Sequence, residues 1–431
     1  MSCLRFDHKE TLFPCNSVVL ITVASKQLGI IADDLSGAIE CAAVCRRMGH
    51  QAIVLPRIPE SNQPGQAHAS VIVVVTDSRH LPAAAASHRL DAAARWLMRQ
   101  GIHSFYKKTD SAARGPLAAE LAALARVEPT CAVYFVPAFP RLGRTVTDGV
   151  LYIDGVPVAE TAFAKDPRSP IHTSSLLTLL RQQTDVPVTQ SSGKREASAT
   201  LVLCDGTTDD DVHASVDTAQ RDGARIAGPA GALEALLPHL DLDVSEPLQS
   251  RMDRSSVLIV AGSCHPVTQA QINHAESAGA CVIHLVPPCS MENHPLPDSS
   301  NTFMTMTQAA WRQRRPVILC TARRPVDVAL AARHQQGLDI HEYTEQITQY
   351  LVATAARLLH TLDPSLITVC GGATSQAMID ALGIDRLTLL REIEPGIGLC
   401  RTHTGHMLAI KNGAFGKVDA LTNHFAPAPP D

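Results

Sequence analysis

The sequence predicts an α/β protein of two domains, each a mainly parallel sheet flanked by helices, with the active site in the cleft between them. Short apolar runs alternate with helical periods along the chain, the signature of βα repeats. At 431 residues the chain exceeds what one core comfortably serves. Nearly every apolar run also ends abruptly in a polar cluster. Leu28 to Ala32 ends in Asp33-Asp34, Val71 to Val75 in Thr76-Asp77-Ser78-Arg79, and Phe105-Tyr106 in Lys107-Lys108-Thr109-Asp110-Ser111. Later, Val257 to Val260 ends in Ala261-Gly262-Ser263, and Leu366 to Cys370 in Gly371-Gly372-Ala373-Thr374-Ser375. Parallel strands present their carboxyl ends on one edge, where ligands bind. Two such edges with different chemistry are therefore expected.

Residues 1–27 precede the first clear strand and read as an irregular extension. The first domain spans 28–240. Within it Ser36–Met48, Pro82–Arg99, Pro116–Arg126, Ser174–Arg181 and Asp209–Arg221 have helical patterns. Ala52–Leu55 and Leu201–Cys204 read as strands, and Asp154-Gly155 marks a hairpin turn within Val150–Val158. The polar stretch 241–256 is the linker. The second domain, 257–431, carries helical patterns over Val267–Ala278, Asp327–Arg333, Tyr343–Leu359 and Gln376–Leu382. Its further strands are Val317–Leu319 and Met407–Ile410, and Pro287–Asn301 has the composition of a surface loop.

Composition excludes several classes. Aromatic residues make up 4% of the chain, too few for base-stacking platforms, and the net charge of −5 with no basic block argues against nucleic acid or an anionic membrane surface. No apolar run approaches the ~20 residues that span a bilayer. The 12 cysteines include no Cys-x-x-Cys pair, which suits a reducing cytoplasm rather than a zinc or disulfide framework. Cys41 and Cys45, one helical turn apart, read as small buried residues.

In the first half, Asp33 and Asp34 stand at a strand end before Ser36-Gly37 and a helix. A carboxylate there can accept a proton from a substrate hydroxyl or hold a metal-bound water; helix capping by Asp34 or Ser36 is the plainer alternative. The cluster Lys107 to Gly115 gathers cations, an acid and a hydroxyl. In it Arg114 can grip a carboxylate through two parallel hydrogen bonds and Lys108 adds a point charge, with Ser111 and Gly115 beside them. Asp77 joins these as a substrate contact, and Asp110 is a further candidate acid. Pro137 to Thr145 forms a stiffened loop from which Arg144 and Thr145 reach an anion. Lys165-Asp166-Pro167-Arg168 adds charge on a later loop.

In the second half there is neither a Gly-x-x-x-x-Gly-Lys-Ser/Thr nor a Gly-x-Gly-x-x-Gly after a strand. The best anion cradle is Gly371-Gly372-Ala373-Thr374, where two glycines open a helix whose first amides and dipole favour phosphate. Ser263 and His265 sit on a similar turn, and Lys411-Asn412-Gly413 on a third. Three strand-end turns could meet one polyphosphate, although ordinary αβ turns have the same look.

These motifs together resemble the four-carbon acid sugar kinases, which phosphorylate threonate, erythronate or 3-oxo-tetronate with ATP. The resemblance runs from residue 28 to about 420. It rests on Ile31-Ala32-Asp33-Asp34-Leu35-Ser36-Gly37-Ala38, Lys108 to Gly115, Pro137 to Thr145, Gly149 to Pro157, Gly262 to Thr268, Gly371 to Ser375, Glu394-Pro395-Gly396 and Lys411 to Gly416. It implies an amino-terminal domain for the sugar acid and a carboxyl-terminal domain for ATP with Mg2+. Asp33, Asp34 or Asp110 would serve as catalytic acid or base. Asp77, Lys108, Ser111, Arg114, Gly115, Arg144 and Thr145 would bind the acid. Ser263, His265, Gly371, Gly372, Ala373, Thr374, Lys411 and Gly413 would bind the nucleotide. The chain departs from the family where Ser111-Ala112-Ala113-Arg114-Gly115-Pro116 replaces a usual Ser-Thr-Leu-Arg-Gly-Asn, and at His265, Asn412 and Ala414. The expected protein is a cytoplasmic enzyme with a small-molecule partner, no nucleic acid or membrane, and room for homo-oligomers. A sugar-acid sensor without turnover, and a metal-dependent aldolase or hydrolase using Asp33 and Asp34, are the competing readings.

Overall fold

The computed structural model describes residues 27–60, 69–128, 131–166, 169–191, 201–245, 252–285, 301–324, 326–327 and 339–425. The amino-terminal extension, Pro167-Arg168, most of the loop expected over Pro287–Asn301 and most of the helix expected over Asp327–Arg333 lie outside the described residues.

The first half runs β1 (Leu28–Ala32), α1 (Leu35–Arg47), β2 (Ala52–Leu55), β3 (Val71–Val75), α2 (Ala83–Arg99), β4 (Ser104–Lys108), α3 (Leu117–Val127) and β5 (Val133–Phe135). An excursion of three short strands follows: β6 (Arg144–Thr147), β7 (Val150–Ile153) and β8 (Val156–Pro157). The half closes with α4 (Leu176–Gln183), β9 (Val188–Gln190), β10 (Leu201–Leu203), α5 (Asp209–Arg221), β11 (Arg225–Gly228) and α6 (Ala230–Leu236). The second half runs β12 (Val257–Ala261), α7 (Pro266–Ser277), β13 (Cys281–His284), α8 (Asn301–Arg312), β14 (Val317–Cys320), α9 (Ile340–Leu362), β15 (Leu366–Cys370) and α10 (Gly372–Ala381). It ends in β16 (Leu387–Glu394), β17 (Ile397–Thr402) and β18 (Met407–Lys411).

The strands of β1, β3, β12 and β15 are buried at every position, as continuous apolar runs covered by helices on both faces should be. In the first half the order β2-β3-β1-β4-β11-β5-β10-β9 is parallel throughout. In the second, β13-β14-β12-β15-β18 is parallel, and β17 and β16 continue it antiparallel. The two expected sheets are fused into one of 15 strands, because β16 pairs antiparallel with β2 through Leu387 opposite Val54 and Thr388 opposite Ile53. The pairing covers an edge that each half would otherwise leave open.

Helix α1 lies across this seam. Its Ile39 packs so tightly on Gly398 that a Cβ there would sit 2.4 Å from the isoleucine methyl. Arg46 donates to the Leu390 carbonyl at 3.3 Å, and Arg47 pairs with Glu392 at 2.8 Å. Cys41 and Cys45 are both buried in this helix, and burial pushes the Cys45 thiol up to about 12. They are packing residues, as their spacing suggested.

Candidate active site

Strand β1 lies between β3 and β4, so the chain leaves β1 toward one side of the sheet and returns on the other. The carboxyl ends of these three strands diverge at that reversal, which opens a crevice. Asp33 and Asp34 come from the end of β1, Arg79 from the turn after β3, and Asp110 from the end of β4. Arg79 joins them: its Nε donates to Asp33 Oδ2 at 2.7 Å, its Nη1 to Asp34 Oδ2 at 2.6 Å, and its Nη2 lies 3.7 Å from Asp110 Oδ1. Asp110 is gripped from its other side by Arg114, Nε and Nη2 donating at 2.9 and 2.8 Å, and accepts the amides of Ala112 and Arg114. Burial alone would raise the Asp110 carboxyl, but Arg79 and Arg114 overcome it and hold the group well below the usual carboxylate range. Burial likewise opposes ionisation of Asp33, yet Arg79, Lys107 and Lys108 hold it down.

The three aspartates are thus not equivalent. Asp34 and Asp110 line the cleft, while Asp33 is buried behind Arg79 with its Oδ1 lacking a partner among the described residues. Asp34 also caps α1, its Oδ1 accepting the Gly37 amide at 2.7 Å. Asp34 is therefore a helix cap, the plainer sequence reading, and it also faces the cleft.

Successive residues of β4 point to opposite faces. Lys108 turns toward the cleft, its Nζ 3.2 Å from Glu40 and donating to the Thr109 carbonyl at 2.9 Å. Lys107 turns into the core, 3.2 Å from Glu120, which also accepts the Ser78 hydroxyl at 2.6 Å. That buried group anchors the Arg79 turn from beneath. Gly115, at φ +87°, permits another close approach, since a Cβ there would lie 2.7 Å from the Arg79 carbonyl.

The excursion β6–β8 and the 3-10 turns after it cover this edge. They contribute Arg144, Phe163 and Asp166 to the cleft. Arg144 donates through Nη1 to the Leu142 carbonyl, while its Nε has no partner among the described residues. Arg114 stacks on Phe163 with 5.1 Å to the ring centroid and donates to Asp166 at 2.8 Å. Ser111 lines the same cleft. Thr145 sits within β6 opposite Tyr152 and is absent from the lining. Asp77 is exposed at the outer mouth, 3.9 Å from Arg89.

Across the cleft, the ends of the adjacent strands β12, β15 and β18 bring three glycine turns together. A Cβ on Gly262 would lie 2.1 Å from Thr374 Oγ1, and one on Gly413 2.3 Å from Ser263 Oγ. Gly371, at φ +109°, caps α10 in a conformation open to glycine. The amides of Gly372, Ala373 and Thr374 open that helix, where anions bind. Helix α10 begins at Gly372, four residues before the expected Gln376, because the glycines themselves form its first turn. His265 caps α7, its Nδ1 accepting the Val267 amide at 3.2 Å. Burial and the nearby Lys411 lower its pKa, so the neutral ring carries its proton on Nε2 as a donor. Lys411 itself is fully buried and sits beneath the third turn, donating to the Asn412 and Gly413 carbonyls at 3.1 and 3.3 Å. It braces the cradle and does not line the cleft.

One cleft of about 700 Å³ is lined by Asp34, Lys108, Arg114 and Arg144 on one side and by Ser263, Gly371, Gly372 and Gly413 on the other. The contact is direct: a Cβ on Gly372 would lie 3.2 Å from the hydroxyl of Ser36, the residue following Asp33-Asp34-Leu35. Arg79, the hub of the aspartates, escaped the sequence reading although it closes the cluster after β3. Nothing local distinguishes it from a surface arginine.

An ion-paired edge on the first half thus faces a glycine-turn edge on the second across one cleft, the layout of a two-domain α/β enzyme. Comparison with known families agrees: residues 28–236 match a sugar-binding N-terminal domain and residues 258–421 a nucleotide-binding C-terminal domain. The chain is 30% identical to a D-threonate kinase of Bordetella bronchiseptica, over 91% of this chain and 95% of that one. It is 28% identical to a 3-oxo-tetronate kinase of Burkholderia multivorans, over the same shares. A solved structure from Salmonella typhimurium superposes with a TM-score of 0.74 at 21% identity, covering 92% of this chain and 98% of that one, and shares the fold. The chain belongs to the four-carbon acid sugar kinase family.

Proposed function

We propose that this protein transfers the terminal phosphoryl group of ATP to a terminal hydroxyl of a four-carbon sugar acid. The observation that carries this reading is the single cleft in which the Asp34 and Arg144 edge meets the Gly371–Gly372 cradle. The first domain, over 28–240, would hold the acid and the second, over 257–431, the nucleotide. Arg144 Nε, Lys108 and Arg114 supply the positive charge for the acid. Asp34, a cleft carboxylate two residues before the Ser36 that meets Gly372, orients the attacking hydroxyl and receives its proton. Asp33 and Asp110, held at low basicity, position Arg79 and Arg114 instead. Amides of the α10 start and the His265 Nε2 proton would hold phosphate oxygens. Among the described residues no group of three His, Cys, Asp or Glu side chains is arranged to hold a metal. A magnesium ion accompanying ATP takes its ligands largely from phosphates and water, which neutralises charge at the transferring group. The Asp33–Asp34 pair already holds a cation, Arg79, where a metal-dependent aldolase or hydrolase would need its ion.

The described cysteines are all free thiols, which supports a reducing, cytoplasmic setting. No helix among the described residues is long and apolar enough to cross a membrane.

A coupled ADP-release assay with D-threonate, D-erythronate and 3-oxo-tetronate tests the reading. Acid-dependent ADP release is expected with one or more of them; nucleotide binding with no turnover of any would defeat it. Replacing Gly413 by Ala should separate the two edges. Its new Cβ collides with Ser263 Oγ, so the KM for ATP should rise about tenfold or more. Affinity for the acid, measured by calorimetry, should stay within about twofold, since the change touches only the cradle.

A further inference from the structure

The cations on the sugar-acid edge are nearly all spoken for by the protein's own carboxylates. Arg79 is held by Asp33 and Asp34, Lys108 by Glu40, and Arg114 by Asp110 and Asp166. Yet this edge has to receive an anion. Most of these partners are fixed in place. Asp33 and Asp110 are buried at strand ends, Asp34 caps α1, and Glu40 belongs to α1. Asp166 differs. It follows a short 3-10 turn in the excursion that covers the cleft, rather than a sheet strand or an α-helix. It holds Arg114 by one contact, Nη1 to Oδ2 at 2.8 Å, while Nε and Nη2 of the same guanidinium stay on Asp110. Its other oxygen, Oδ1, accepts the Ser169 amide at 2.9 Å. Phe163 also stacks on Arg114, with 5.1 Å to the ring centroid.

We infer that Asp166 is a stand-in for the substrate carboxylate: it occupies the outward Nη1 of Arg114 until the sugar acid displaces it. The inference rests on the kinase reading above. The stand-in gives an acceptor to the outward Nη1 of a partly buried guanidinium whose Nε and Nη2 are held by Asp110. It also sets a threshold for entry. A ligand must present a carboxylate of its own to release the latch, so neutral sugars of the same length are rejected. Because the competitor is part of the chain, the acid binds only to the fraction of molecules with the latch open, and its apparent affinity is lowered accordingly.

Asp166→Asn tests this. Asn keeps the acceptor for the Ser169 amide and the size of the side chain, and removes the charge that competes. Calorimetry with D-threonate, D-erythronate and 3-oxo-tetronate should show the preferred acid binding about fivefold more tightly than to the wild type, and its KM should fall by a similar factor. Asp166→Ala should show the same direction, which guards against a special effect of the amide. Weaker acid binding in both variants overturns the stand-in and makes Asp166 a direct ligand of the substrate; unchanged binding overturns it as well. Should the wild type turn over an acid while neither variant tightens, the latch falls and the kinase reading stands. Should the wild type turn over none while the variants bind acid more tightly, the kinase reading falls and the latch stands. Loss of binding in every form removes both.

Discussion

Arg79→Met should lose about 1,000-fold in kcat/KM and reverse the pH dependence of stability in the acid range. The guanidinium lies 10% exposed among three carboxylates from two strand ends, and its removal leaves Asp33 buried with only the more distant Lys107 and Lys108 to oppose desolvation. Breaking a buried pair by deleting one partner costs about 3–5 kcal/mol. In the wild type the Asp33 carboxyl is held below its ordinary value of 3.8. Its pairing therefore stabilises the fold fully above that value, and the contribution fades as pH falls through the lower, folded-state pKa. In the variant, burial dominates and the folded pKa rises above the unfolded one. Stability should then decline as pH increases from about 4 toward about 7, because the native state holds a proton that the unfolded chain releases. Urea unfolding across that range, beside steady-state kinetics, gives both readouts. A variant that unfolds with the wild-type pH profile would show that Arg79 is an ordinary surface pair.

Asp34→Asn should separate chemistry from folding. Asn is as good a helix cap as Asp, so the Gly37 amide keeps its acceptor, and the loss of stability should be confined to the broken Arg79 pair, with Asp33 still holding that guanidinium. The charge that orients the attacking hydroxyl is lost, and kcat should fall by about 100- to 10,000-fold with a smaller change in the KM for the acid. Asp34→Ala should show the same loss of rate together with about 1 kcal/mol of destabilisation from the missing cap. An undiminished kcat in the Asn variant would strike Asp34 from the reaction and return the choice to Asp110, the other aspartate that lines the cleft.

The contrast between Asp34 and Arg79 shows what could be seen in the chain. Asp34 was visible because its signals are local: an apolar strand, an acid, then Ser36-Gly37 and a helical period. The glycine turns were visible for the same reason. Lys107 and Lys108 look alike in sequence, and only strand alternation sends one to Glu120 in the core and the other to the cleft. Lys411 looked like a phosphate ligand, and the fold places it under its turn as a brace. Arg114 looked like an open clamp, and the fold hands both its sides to aspartates. Asp166 stands on a loop expected to bring positive charge, and the fold sets its carboxylate on Arg114.

By itself the sequence determined the α/β class, the division into two chemically distinct halves and the residues at most strand ends, since strand, turn and cap preferences act within a few residues. Only the tertiary structure decided that β2 and β16 fuse the halves into one sheet, that α1 crosses the seam, and that Arg79 gathers aspartates from the ends of two strands. Those outcomes depend on strand order and on pairings such as Arg79 with Asp33, 46 positions apart, where desolvation and Coulomb attraction are settled by packing rather than by neighbours along the chain.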